Sequence, residues 1–169
     1  MILIITSKTD GHIEAVSRHF DAAGVDWIRV NTEDFARNVE LTVIPTTGEG
    51  YIHIRDSGKQ VELKRVTAVL YRKPEPIDLS HFALDRVALD YIEAELNEVV
   101  LGLYALLGHL FWINNPFTTR IAHRKLLQLR VAVDVGFKTP RTIVTNDTET
   151  AVHFADDIGA HLAIKSLGA

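Results

Sequence analysis

The chain contains no cysteine among its 169 residues, which excludes disulfides, thiolate chemistry and cysteine-ligated zinc. A basic excess is also missing. Lys and Arg number 18 against 22 Asp and Glu, for a net charge of −4, which argues against a general nucleic-acid binder. Long hydrophobic runs are absent too. The most apolar stretch, VVLGLYALLGHLFWI from Val99 to Ile113, falls short of the ~20 residues that cross a bilayer, and it contains His109. The opening MILIITSKTDGH has neither the basic region nor the apolar length of a signal peptide. These absences lead to the expectation of a cytoplasmic globular protein with no membrane and no nucleic acid among its partners.

Several site signatures are lacking as well. The loop after the first apolar run, TSKTDGH, carries neither a Gly-x-Gly-x-x-Gly fingerprint nor a Gly-Lys-Ser/Thr phosphate loop, so a plain Rossmann-like dinucleotide site is unsupported. It also lacks the clustered acids of a phosphoacceptor domain. His12, His19, His53, His81, His109, His123, His153 and His161 show no metal-binding spacing, and no serine nucleophile elbow occurs. TTGEG reads as a turn between strands, because no helix follows it to supply an N-terminal dipole.

What is present is an alternation of structural types. ILIIT (Ile2–Thr6) has the continuous apolar character of a strand covered on both faces. Asp10 caps a predicted helix with Ile13, Val16 and Phe20 on one face and Gly24 at its end, and DWIRVN is the next strand. That is a βαβ unit with a right-handed crossover. VELTVIPT, YIHIRD and QVELK then alternate between TGEG and SG, which predicts a small antiparallel ribbon. TAVLYRKP (Thr67–Pro74) returns to the buried-strand pattern.

A long helix is expected over Ser80 to Gly108, with Leu84, Val87, Tyr91 and Ile92 beginning its apolar stripe, and LFWIN is a short strand. Asn115 and Pro116 open a predicted helix to about Val135, closed by Gly136. RTIVT is a strand, NDTE a capping box pairing Asn146 with Glu149, and a further helix runs to Ile158. The last stretch, HLAIKSLGA (His161–Ala169), reads as a strand that delivers Lys165 to a small-residue loop. The expected organisation is a three-layer, Rossmann-like α/β domain over 1–115 and a thin second piece over 116–169.

Between Asn115 and Asn146 the basic residues Arg120, Arg124, Lys125, Arg130, Lys138 and Arg141 face one acid, Asp134. Alone, such a run is an ordinary solvated helix face. Its order before a strand, a helix and a strand ending in lysine is more specific. INNPFTTRIAHRKLLQLRVAVDVGFKTPRTIVTND (Ile113–Asp147), with VNTEDF, LYRKPEP and AIKSLGA, resembles the N-terminal part of the ATP-grasp ligases. Within them it is most similar to the RimK-like, microviridin-type or graspetide peptide maturases.

The resemblance implies that 1–115 is a pre-ATP-grasp domain and that 116–169 is the start of an ATP-grasp domain, cut before its glycine-rich loop. Two lysines of that family approach ATP, and Lys125 and Lys165 occupy the matching positions. The implied full-length enzyme uses ATP and Mg²⁺ to form an acyl phosphate. Attack by an amine or alcohol then closes a ring in a ribosomal precursor peptide. No catalytic or metal-binding residue is assigned within this chain, which is expected to be inactive alone and to bind no cofactor by itself. A homodimer through the long helix is a further expectation. The alternative is a non-catalytic peptide-binding or dimerisation module, with Arg72–Lys73 and the hairpin around Tyr51–Ile54 as contact surfaces.

Overall fold

A computed structural model describes residues 1–159 and 162–167. Contacts divide the chain into two compact units, Met1–Pro116 and Phe117–Ala169.

The first unit is built on a four-stranded parallel sheet in the order β2-β1-β6-β7, comprising Trp27–Asn31, Ile2–Thr6, Ala68–Tyr71 and Phe111–Ile113. Register is continuous across it, with Leu3 opposite both Ile28 and Val69. The helix α1 (His12–Ala22) carries the chain from β1 to β2, and α2 (Arg86–Leu106) leads from β6 to β7. The two crossovers run in opposite directions along the sheet, so right-handed connections place their helices on opposite faces. Burial agrees with this. Leu3 and Ile5 belong to the cluster formed with Val100, Leu103 and Tyr104 of α2. Ile4 points the other way under strand alternation, and it and Ile13 of α1 are both buried outside that cluster.

The connection from β2 to β6 holds a three-stranded antiparallel ribbon, β3 (Val39–Ile44), β4 (Glu49–Ile54) and β5 (Lys59–Glu62). Ile52, Val61 and Leu63 pack into the same cluster as α2, so the ribbon lies on that face. Its first turn needs Gly48 at φ 71°, a left-handed conformation that glycine adopts without steric cost. The architecture is therefore mixed α/β, with a parallel sheet and a small antiparallel one.

Several boundaries differ from those predicted. The long helix begins at Arg86, not Ser80, because the Asp85 side chain accepts from the Ala88 amide at 2.8 Å and caps it there. Upstream, Asp78 instead accepts from the Ser80 amide in a turn. Gly102, inside α2, has nothing within 4 Å of where a Cβ would sit. Gly102→Ala is expected to raise stability by about 0.5–1 kcal/mol, read as a higher urea midpoint.

After β7 the expected single helix is two, α3 (Pro116–Ala122) and α4 (Lys125–Asp134). Gln128 reaches back to donate to the Ala122 carbonyl at 2.7 Å, satisfying an acceptor left free by the end of α3. The helix α5 (Thr148–Ile158) is capped by Asp147, which accepts from the Thr150 amide at 2.8 Å. That displaces the expected Asn146–Glu149 box by one residue. RTIVT and residues 162–166 form no strand among the described residues. His161, Gly168 and Ala169 of the terminal stretch lie outside the described residues. No described residue from Phe117 onward is buried.

Candidate functional site

Lys125 is the first residue of α4, preceded by Arg124 in an extended conformation at the N-cap, and no acid occupies the first turn. That inverts the usual pattern. A helix N-terminus carries partial positive charge and ordinarily attracts Asp or Glu, whereas here it carries two cations. Such an arrangement gains stability from an anion placed between the free amides and the side chains. The Lys125 Nζ donates to the carbonyl of Ser166, the residue after Lys165. The two lysines singled out from sequence thus lie on neighbouring segments, although 40 positions separate them in the chain. Lys165 makes no ion pair among the described residues, and neither does Arg124 or Lys138. Arg130 pairs with Asp134 along α4, and Arg141 pairs with Asp157. The basic run therefore splits into cations paired locally and cations with no ion pair among the described residues. No group of three His, Asp or Glu among the described residues could hold a metal ion.

The first unit has its own concentration of polar groups, at the C-terminal ends of β1 and β6. The sheet order reverses direction between these strands, and open α/β sheets bind ligands outside such a point. Asp10 lies there with a fully buried side chain. Its Oδ2 accepts from the Thr6 hydroxyl at 3.2 Å and sits 2.9 Å from Arg72 Nε, and its Oδ1 accepts from the His12 amide at 3.3 Å. Burial disfavours the charged form, but the His12 amide, the Thr6 hydroxyl and the Arg72 guanidinium outweigh it and hold the carboxyl below its usual range. Arg72 Nε is off line for a hydrogen bond and finds no other acceptor. Next to it, Thr32 donates to the Glu75 carbonyl at 2.6 Å and accepts from the Glu75 amide at 2.8 Å, which pins the RKPEP loop to the sheet. Lys8 pairs with Asp34, whose hydrogen bond raises the ammonium pKa. From the sequence, Arg72–Lys73 belongs to a contact loop and Asp10 has only the role of a helix cap. The missed signal was an acid four residues beyond a buried strand, opposite a basic residue at the end of another.

Residues 1–120 match the family model described as the MvdD pre-ATP grasp domain. The chain belongs to that family. No curated protein matches it. Among solved structures it is similar to the macrocyclase MdnB from Microcystis aeruginosa MRC, with a TM-score of 0.83 and 25% identity over 94% of this chain and 52% of that one. It is similar to the macrocyclase MdnC of the same organism, solved with the precursor peptide MdnA, with a TM-score of 0.79 and 29% identity over 94% and 52%. A third is a RiPP-associated ATP-grasp ligase from Chryseobacterium gregarium, solved with ADP and a leader and core peptide, with a TM-score of 0.78 and 26% identity over 92% and 47%. The chain spans about half the length of these solved relatives. As an MvdD pre-ATP grasp domain, the first unit accounts for the parallel sheet, the ribbon and α2. The match ends before Lys125, so the lysine pair stands on its own geometry.

Proposed function

We propose that this chain is the N-terminal part of an ATP-dependent carboxylate–amine or carboxylate–alcohol ligase that modifies a ribosomal precursor peptide through an acyl phosphate. The observation that carries the reading is the convergence of Lys125 and the Lys165 segment at a helix N-terminus bare of acids. Membership of the MvdD pre-ATP grasp family and likeness to peptide macrocyclases support it.

ATP fits the residues present. Lys125 and Lys165 neutralise phosphate oxygens as flexible point charges, and the first amides of α4 add donors. ATP supplies the phosphoryl group that activates the carboxylate. Mg²⁺ belongs to the full-length enzyme in this reading, but no ligand set for it lies among the described residues. The division at residue 115, with a pre-ATP-grasp domain before it and the start of an ATP-grasp domain after it, is part of the same proposal. So is a second copy of the chain as partner across α2, where Val87 is 80% exposed and Tyr91 66%.

Reading the gene past the Ala169 codon tests this. A continuation about as long as this chain, with a glycine-rich loop and late acidic metal ligands, carries the reading, and a stop codon at that point overturns it. The chain alone is expected to release no ADP from ATP and Mg²⁺ above the buffer rate in a coupled assay. Hydrolysis that disappears in Lys165→Ala would contradict its inactivity.

A further inference from the structure

A groove of about 520 Å³ runs along the outer edge of β3, with α2 as its far wall. Phe35, Leu41, Leu96 and Val99 supply the apolar part of its lining, and Arg37, Glu40 and Arg55 the charged part. The strand β3 pairs with β4 on one side only, and no strand covers its other edge among the described residues. Such an edge presents unpaired amides and carbonyls, and proteins commonly blunt it with lysine or proline. Neither occurs within VELTVI.

We propose that this groove docks an extended peptide segment, which adds to β3 as a further strand. The core-side positions of β3 are Val39, Leu41 and Val43. Side chains of an added strand on that side meet Leu96 and Val99, while those on the other side lie beside Thr42 and Tyr51. The segment therefore carries apolar residues at alternate positions, the mode in which main-chain hydrogen bonds give affinity and pockets give selectivity. Charge fixes a second feature. Arg55 and His53 already hold Glu40, and Lys8 holds Asp34. Arg37 makes no ion pair among the described residues, and it also lines an adjoining cavity of about 310 Å³. It is the cation left to receive a carboxylate of the segment.

Charge decides between occupants. A second copy of β3 would bring its Glu40 already tied to His53 and Arg55, whereas a separate segment can carry a carboxylate free for Arg37. Val99, 52% exposed, is the apolar surface that such a segment would cover. The proposal rests on reading the chain as part of a peptide-modifying ligase, but its test involves no nucleotide, so the two can fail separately.

The probe is a phage-displayed library of short random peptides, selected on the whole chain. Retained peptides are then resynthesised for fluorescence anisotropy. They are expected to alternate apolar residues and to include an acid. Val99→Glu, which alters an exposed position, should weaken them by roughly tenfold or more, and Arg37→Ala should weaken them only when the acid is present. N-methylation at single peptide amides should cost roughly five- to tenfold for each lost backbone hydrogen bond. Amide exchange at Val39–Ile44 should slow on binding. Retention of no peptide, equal binding to Val99→Glu, or indifference to N-methylation overturns the proposal. Protection of β3 that rises with chain concentration in the absence of peptide also overturns it, in favour of a second copy.

Discussion

Asp10→Ala is expected to lower the unfolding free energy of the first unit by about 2–4 kcal/mol. The side chain is fully buried, and its removal strips partners from the Thr6 hydroxyl, the His12 amide and the Arg72 guanidinium at once. Breaking a buried ion pair usually costs about 3–5 kcal/mol, because the surviving charge is left desolvated. Arg72 is 35% exposed and recovers part of that loss by turning its guanidinium to water. Asp10→Asn keeps an acceptor for Thr6 and should lose less.

The same group sets a pH dependence. The Asp10 carboxyl is held below its usual value in the folded chain, so folding favours the deprotonated form. Its contribution is complete above the ordinary carboxylate pKa of about 3.9 and is lost as pH falls through the lower folded value. Urea unfolding followed by far-ultraviolet circular dichroism between neutral pH and about pH 3 measures both effects. Wild type should weaken over that range more steeply than Asp10→Asn. Equal slopes would show that Asp10 does not carry the dependence.

Gly50→Ala should be the most disruptive of the glycine substitutions, at about 3 kcal/mol, the upper end of overpacking costs. A Cβ at Gly50 would meet the Thr42 carbonyl oxygen at 2.2 Å, the Val43 Cα at 3.0 Å and the Leu63 Cδ1 at 3.1 Å. Two of those three atoms are backbone of β3, so no rotamer change relieves the contact. The strand itself has to move. Because β4 is its only neighbour in the ribbon, β3 should detach before the parallel sheet is affected. Hydrogen exchange is the direct measurement. Amides of Val39–Ile44 should lose protection in Gly50→Ala, while those of Ile2–Thr6 keep theirs. Uniform loss across both sheets would show that ribbon and sheet open as one cooperative unit. The contrast with Gly102→Ala is instructive, since the same methyl group there enters open space on a helix.

Much of this arrangement can be read from the residues. The apolar runs of β1 and β6, the alternation in VELTVI and YIHI, and the glycine turns between them each state their local conformation without help from the rest of the chain. Helix limits were less legible, because capping is a competition. Asp85 starts α2 at Arg86, six residues after Ser80, and Asp147 rather than Asn146 opens α5. Neither winner can be chosen from residue type alone, since both rivals are good caps. RTIVT and the Lys165 stretch failed as strands for a different reason. Their composition suits a sheet, but a strand exists only with a partner, and a sequence pattern does not supply one. The candidate sites divide in the same way. Lys125 and Lys165 came from resemblance, whereas the Asp10–Arg72 pair joins residues 62 positions apart that only the sheet order brings together.

The ring cluster of the first unit has an optical consequence. Trp112 stands with Tyr104 at 5.8 Å and Tyr71 at 6.4 Å between centroids, and its indole N–H donates to the Leu107 carbonyl at 2.9 Å. The other indole, Trp27, also lies before Pro116, and the chain has 2 tryptophans in all. Emission excited at the red edge of indole absorption therefore originates within the first unit. The helix that carries Lys125 and the segment that carries Lys165 hold no indole of their own. A tryptophan placed among them would give the second unit a colour of its own.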